Sequence, residues 1–161
     1  VRNIGGYGEI HVSGRLSCQT LRFVGVVRAD GDLVCAGDVT VDGILSNDRI
    51  ISATSVTLRG VLESTDVRTD TLSIEPLHSM MLTRHAMGEY TASSRARTVV
   101  GNAVHVHALT CVTLHADAVE LSERCRIERL CNASHVAGDG TADVSLFRPT
   151  CSQTHLKRRR A

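Results

Sequence analysis

Glycine returns in this chain at a near-constant stride. Gly25, Gly43 and Gly60 recur with the same local surroundings, and each closes a short alternating run: Arg22-Phe23-Val24, Val39-Thr40-Val41-Asp42 and Val56-Thr57-Leu58-Arg59. Apolar pairs separated by one residue recur at a finer spacing. They run Ile10/Val12, Leu16/Cys18, Leu21/Phe23, Val27/Ala29, Leu33/Cys35 and Val39/Val41, then Ile51/Ala53, Val56/Leu58 and Leu72/Ile74. Alternation with a period of two marks strands whose inward side chains face a core. Three such units per glycine stride describe one triangular coil of a β-solenoid. Glycine suits the corner because it alone accepts positive φ without a steric cost. Asp30-Gly31 and Asp42-Gly43 also fit hairpin turns, but an antiparallel meander of three-residue strands leaves the long stride unexplained.

Composition supports a narrow, regular core. There is no Trp, and Phe23, Phe147, Tyr7 and Tyr90 are the only aromatic residues. Irregular cores use aromatic rings to fill volume; a stack of identical coils is filled by Val, Ile, Leu, Ala and Cys. The expected core includes Leu33, Cys35, Val39, Val41, Val56 and Leu58. The pattern breaks over 76–98, which holds Pro76, Met80, Met81 and Met87, and is expected to be an irregular connection. It returns at Val104/Val106, Val112/Leu114, Val119/Leu121, Cys125/Ile127 and Val144/Leu146. The division is therefore a β-helical lobe over 1–75, further coils over 99–148, and a disordered basic tail over 149–161. The later coils either continue the first stack or form a second one.

These features resemble the bactofilins, polymer-forming bacterial cytoskeletal proteins. The likeness rests on residues 8–18 (GEIHVSGRLSC), Phe23-Val24-Gly25-Val26-Val27, Leu33-Val34-Cys35-Ala36-Gly37, Val41-Asp42-Gly43-Ile44-Leu45 and Leu58-Arg59-Gly60-Val61-Leu62. The opening Ile4-Gly5-Gly6-Tyr7-Gly8 and the stretch from Leu109 to Ile127 are similar to the two-lobed versions of Gram-positive bacteria. The resemblance implies an all-β, right-handed parallel β-helix. It also implies nucleotide-independent, head-to-tail assembly into filaments and a scaffolding role in cell shape or envelope organisation. The implied partners are further copies of the chain or a paralogous bactofilin, and membrane-associated or cell-wall proteins.

Elementary physics points to the same contact. An open coil end exposes unpaired N–H and C=O groups that template pairing, and a heterologous contact of that kind propagates. The expected interface is Ile10 and Val12 at one end. At the other it is Leu72/Ile74 or Val144/Leu146/Phe147, according to whether the lobes form one stack.

No catalytic, cofactor-binding or metal-binding residues are expected. His105-x-His107, with Cys111 and His115 nearby, has ligand-like spacing of the sort used by β-helical γ-carbonic anhydrases. Val104 and Val106 point inward in this register, however, and turn both imidazoles outward. The repeat steps drift too much for a hexapeptide acyltransferase, and no phosphate-binding G-x-x-x-x-G-K-[ST] loop occurs. Gly5-Gly6-Tyr7-Gly8 is read as a flexible entry loop.

Formal net charge is +1, but Lys157, Arg158, Arg159 and Arg160 hold four of the 18 basic residues. The remainder carries 14 basic against 17 acidic residues, so nucleic acid is not an expected partner. The tail offers at most weak contact with anionic lipid. Six cysteines without a C-x-x-C pair, and no visible signal peptide, favour reduced thiols in a cytoplasmic setting, at most associated with the inner face of the membrane.

Overall fold

A computed structural model describes residues 2–76, 93–122, 124–138 and 143–148, with the side chains of 145–148 outside that set. It is a parallel β-solenoid of about seven turns. Among the described residues there are thirteen strands and no helix. They are β1 (Asn3–Val12), β2 (Leu16–Cys18), β3 (Thr20–Ala29), β4 (Leu33–Cys35), β5 (Asp38–Asn47) and β6 (Ile50–Glu75). After residues 77–92 come β7 (Ser94–Val100), β8 (Ala103–Val106), β9 (Leu109–His115), β10 (Ala118–Leu121), β11 (Arg126–Cys131), β12 (His135–Gly138) and β13 (Asp143–Arg148). One ladder runs β1-β3-β5-β6-β7-β9-β11-β13, and shorter strands complete the other sides of each turn.

The register explains the sequence period. Gly8 of β1 pairs with Gly25 of β3, Gly25 with Gly43 of β5, and Gly43 with Gly60 of β6, so the glycine stride is the length of one turn. The in-register rungs align inward residues into columns. Leu16, Leu33 and Ile51 form one column; Leu21, Val39 and Val56 a second; Phe23, Val41 and Leu58 a third. Leu33, Cys35, Val39, Val41, Val56 and Leu58 are all buried within the core. Each fully buried aliphatic chain stabilises the fold by about 1.5–3 kcal/mol relative to exposure.

Between the first and second sides of each early turn the chain bends at a glycine. Gly25, Gly43 and Gly60 have φ of 130°, 141° and 143°. A Cβ on Gly43 would lie 2.0 Å from the carbonyl oxygen of Gly25, and one on Gly60 would lie 1.9 Å from that of Gly43. Glycine is thus required twice over, by φ and by the approach of the preceding corner.

Later turns are shorter and cornered differently. There Ala96 of β7 pairs with Cys111 of β9, and Cys111 with Ile127 of β11, each step shorter than the glycine stride of the first turns. Inward pairs are Ala96/Val99, Cys111/Leu114 and Ile127/Leu130, a spacing of three that places two residues at a tight corner. The expected Val112/Leu114 pair is therefore corrected: Val112 sits on the corner and is exposed, and Cys111 takes the inward place. Positive φ passes to Ala108 (50°) and Arg124 (59°), which precede β9 and β11.

The two halves share one stack. Strand β6 pairs directly with β7 (Glu63↔Arg95, Val67↔Val99) and with β8 (Leu72↔Val104). Between Glu63 and its partner Arg95 the chain travels about one turn further than elsewhere, and this long step contains residues 77–92. Ladder pairing resumes at Ser94, inside the segment expected to be irregular up to 98. Ser94 is 1% exposed, and its Oγ accepts a hydrogen bond from the Leu62 amide at 3.0 Å, tying the returning chain to the turn below.

Candidate assembly ends

A solenoid satisfies its backbone by pairing each rung with two others, so its first and last rungs are chemically distinct. At the N-terminal end, β1 pairs with β3 alone and β2 with β4 alone among the described strands. The backbone edge of Asn3–Val12, the full length of β1, thus faces away from the stack. The residues expected to be a flexible entry loop, Gly5 to Gly8, belong to this strand, in register with Arg22 to Gly25. The period carried the signal, since Gly8 precedes Gly25 by the same stride that joins the later corner glycines.

The apolar cross-section is also open here. Ile4, Ile10 and Val12 pack against the core but are only partly buried, whereas Val27 and Ala29 on the next rung are 0% and 3% exposed. Gly8 heads the glycine column with φ 119°, and a Cβ built on it has no atom within 4 Å. The corner therefore presents bare backbone on the side from which each later corner glycine receives its neighbour. Tyr7 is 87% exposed and in register with exposed Val24. His11 Nε2 lies 3.1 Å from Asp30 Oδ1 beside the edge.

At the other end, β13 pairs with β11 alone and β12 with β10 alone among the described strands. Val144 is partly buried against the core. Leu146 and Phe147 stand opposite Arg129 and Leu130 in the ladder; their side chains lie outside the described residues. Leu72 and Ile74 are corrected as interface candidates. Both are 0% exposed, because the stack continues past them, and Leu72 is covered in register by Val104. The expected disordered tail, 149–161, lies outside the described residues.

His105 and His107 lie on the flank of the solenoid. His105 points outward, its Nδ1 3.1 Å from Glu120 Oε2, and His107 is partly exposed. Cys111 points the other way, into the core, where its thiol contacts the Thr113 carbonyl at 3.1 Å and burial pushes its pKa up to about 12. The spacing that looks like a ligand set is thus split between outside and inside. Among the described residues no group of three His, Cys, Asp or Glu side chains converges.

Cys18 and Cys35 are register partners on the first two rungs, and burial raises the Cys18 thiol to about 11. Cys18, Cys35 and Cys111 carry free thiols, and the Cys125 thiol donates to the Val106 carbonyl at 3.4 Å. Cys131 is disulfide-bonded, which corrects the expectation of reduced thiols throughout. Among the described residues no helix is long and apolar enough to cross a membrane. No family model, curated protein or solved structure matches the chain.

Proposed function

We propose that the chain is a self-assembling scaffold of the bactofilin kind, whose solenoids join end to end without nucleotide. One observation carries the reading: the long edge of β1 has a partner on one side only among the described residues, with a partly open apolar cross-section beside it. Long edges are ordinarily blunted by bulges, charges or a covering element. Here the outward row of β1 is Asn3, Gly5, Tyr7, Glu9 and His11, and Gly5, Gly6 and Gly8 leave the strand narrow. A second copy laid on this edge completes the ladder and buries Ile10 and Val12.

Assembly of this kind needs no catalytic group and leaves the flanks of the solenoid exposed for client proteins. Contact with the envelope is made through partners or through Lys157 to Arg160. The test compares wild type with Val12→Asp by sedimentation velocity and circular dichroism. A charge on the terminal rung should leave the β signal intact and reduce the assembly to a single small species. Equal sedimentation of the two proteins excludes stacking through β1.

A further inference from the structure

The first two rungs of the solenoid carry a matched pair of thiols. Cys18 of β2 and Cys35 of β4 are register partners, and both side chains belong to the core cluster. Rungs of a parallel sheet are about 4.8 Å apart. Register partners on adjacent rungs therefore fall inside the Cα separation of about 4.4–6.8 Å that a disulfide spans. The two thiols interact across the rungs, and Cys35 adds to burial in holding the Cys18 proton. Cys35 Sγ donates to the carbonyl of Gln19, the residue after Cys18, at 2.9 Å, so its sulfur is turned toward the first rung. Among the described residues no other two cysteines are paired in register; Cys111 lies between Ala96 and Ile127.

Position gives this pair an access that the other inward thiols lack. Strand β2 pairs with β4 alone among the described strands, so Cys18 has a rung on one side and the open end of the solenoid on the other. Cys18 is 7% exposed, against 2% for Cys111 and Cys125. A small reagent entering at this end meets Cys18 first, with Cys35 behind it. Toward the far end, Cys131 on the next-to-last strand of the main ladder is already disulfide-bonded.

We propose that Cys18 and Cys35 form a redox latch, which a low-molecular-weight disulfide such as oxidised glutathione closes into a cross-rung disulfide fastening the first coil to the second. The Cys18 thiolate attacks one sulfur of the reagent RS–SR. That S–S bond breaks, and the leaving thiolate takes up the proton that Cys18 lost. The Cys35 thiolate then attacks the Cys18 sulfur of the mixed disulfide. The second RS group leaves and takes up the Cys35 proton. Two cysteine thiols and one RS–SR become one protein disulfide and two RSH; the cysteines lose two electrons and the reagent gains them. The bond closes a loop of one solenoid turn, from Cys18 to Cys35. Closing a loop of that length disfavours opening of the end coil by about a hundredfold. With the Cys18 proton held by burial and by Cys35, the reaction is slow at neutral pH and quickens as pH rises.

The latch forms within one chain, so it is independent of the scaffold reading. The test incubates the dilute chain with oxidised glutathione, maps its disulfides by peptide mass spectrometry without reduction, and follows amide hydrogen exchange. The expected result is a Cys18–Cys35 cross-linked peptide from protein whose circular dichroism stays native. Its formation should quicken about tenfold per pH unit between about pH 7 and about pH 9, with the thiolate fraction of Cys18. The Leu16 amide donates to the Asp32 carbonyl across the first two rungs. Its exchange should slow about a hundredfold once the link has formed. Cys35→Ala, which lacks the second thiol, should instead keep glutathione on Cys18 as a mixed disulfide. Absence of the Cys18–Cys35 link in the folded chain would overturn the proposal. So would a link formed only in urea that abolishes the β signal, or Leu16 exchange unchanged by the link.

Discussion

Replacing Gly43 by alanine probes the corner column directly. Its φ is 141°, and a Cβ there would stand 2.0 Å from the Gly25 carbonyl oxygen, where ordinary contact begins near 3.4 Å. Two costs add. An L side chain in the left-handed region costs about 1–2 kcal/mol. Forcing extra volume into a packed site costs about 1–3 kcal/mol more, here by prising apart rungs whose hydrogen bonds fix their spacing. The sum is about 2–5 kcal/mol, which for a chain of this size lowers Tm by roughly 4–20 °C.

Gly8→Ala supplies the control. Its φ is 119°, but a Cβ meets nothing within 4 Å, so only the conformational cost remains. Urea unfolding of dilute protein should show Gly43→Ala less stable than Gly8→Ala by about 1–3 kcal/mol, the packing cost alone. Equal stabilities, or a neutral Gly43→Ala, would refute the stacked corner.

Other expectations follow from burial. Val41→Asp places an unpaired charge at a site with no exposure and should abolish the folded β signal; a soluble variant melting like wild type would reject the register. Cys111 holds its proton more tightly folded, to about 12, than unfolded, near 9.0. Its contribution to stability is therefore complete below pH 9 and is lost as pH rises toward 12, at up to about 1.4 kcal/mol per pH unit. Urea titrations at about pH 8 and about pH 10, on either side of the unfolded value, should show that decline, and Cys111→Ala should reduce it, leaving the part due to the Cys18 thiol. Maleimide at neutral pH should modify Cys111 only after unfolding; rapid modification of the native protein would contradict its inward placement.

Much of the first half was legible because its glycines and apolar pairs share one period. Once rungs are in register, repetition in sequence becomes stacking in space. Gly8 obeys that period, yet the cluster Gly5-Gly6-Tyr7-Gly8 reads locally as a loop, since glycine-rich strands carry few inward side chains to mark them. Val112 misleads because alternation cannot reveal a corner: with two residues at the bend, Cys111 and Leu114 are the inward pair, and the exposed valine mimics one. The single stack was hidden by the long step from Glu63 to Arg95, which interrupts the period while the ladder continues. The disulfide at Cys131 has no signature in spacing, because a cysteine on an apolar strand looks the same whether bonded or free.

The most direct measurement of the central claim is electron microscopy with fibre diffraction on the purified chain, without nucleotide, over a range of concentrations. End-to-end solenoids predict unbranched filaments one molecule wide, with a meridional reflection at about 4.8 Å from rungs stacked along the filament axis. Single particles that stay monomeric at high concentration would contradict assembly through the coil ends, as would filaments whose rung spacing runs across their long axis.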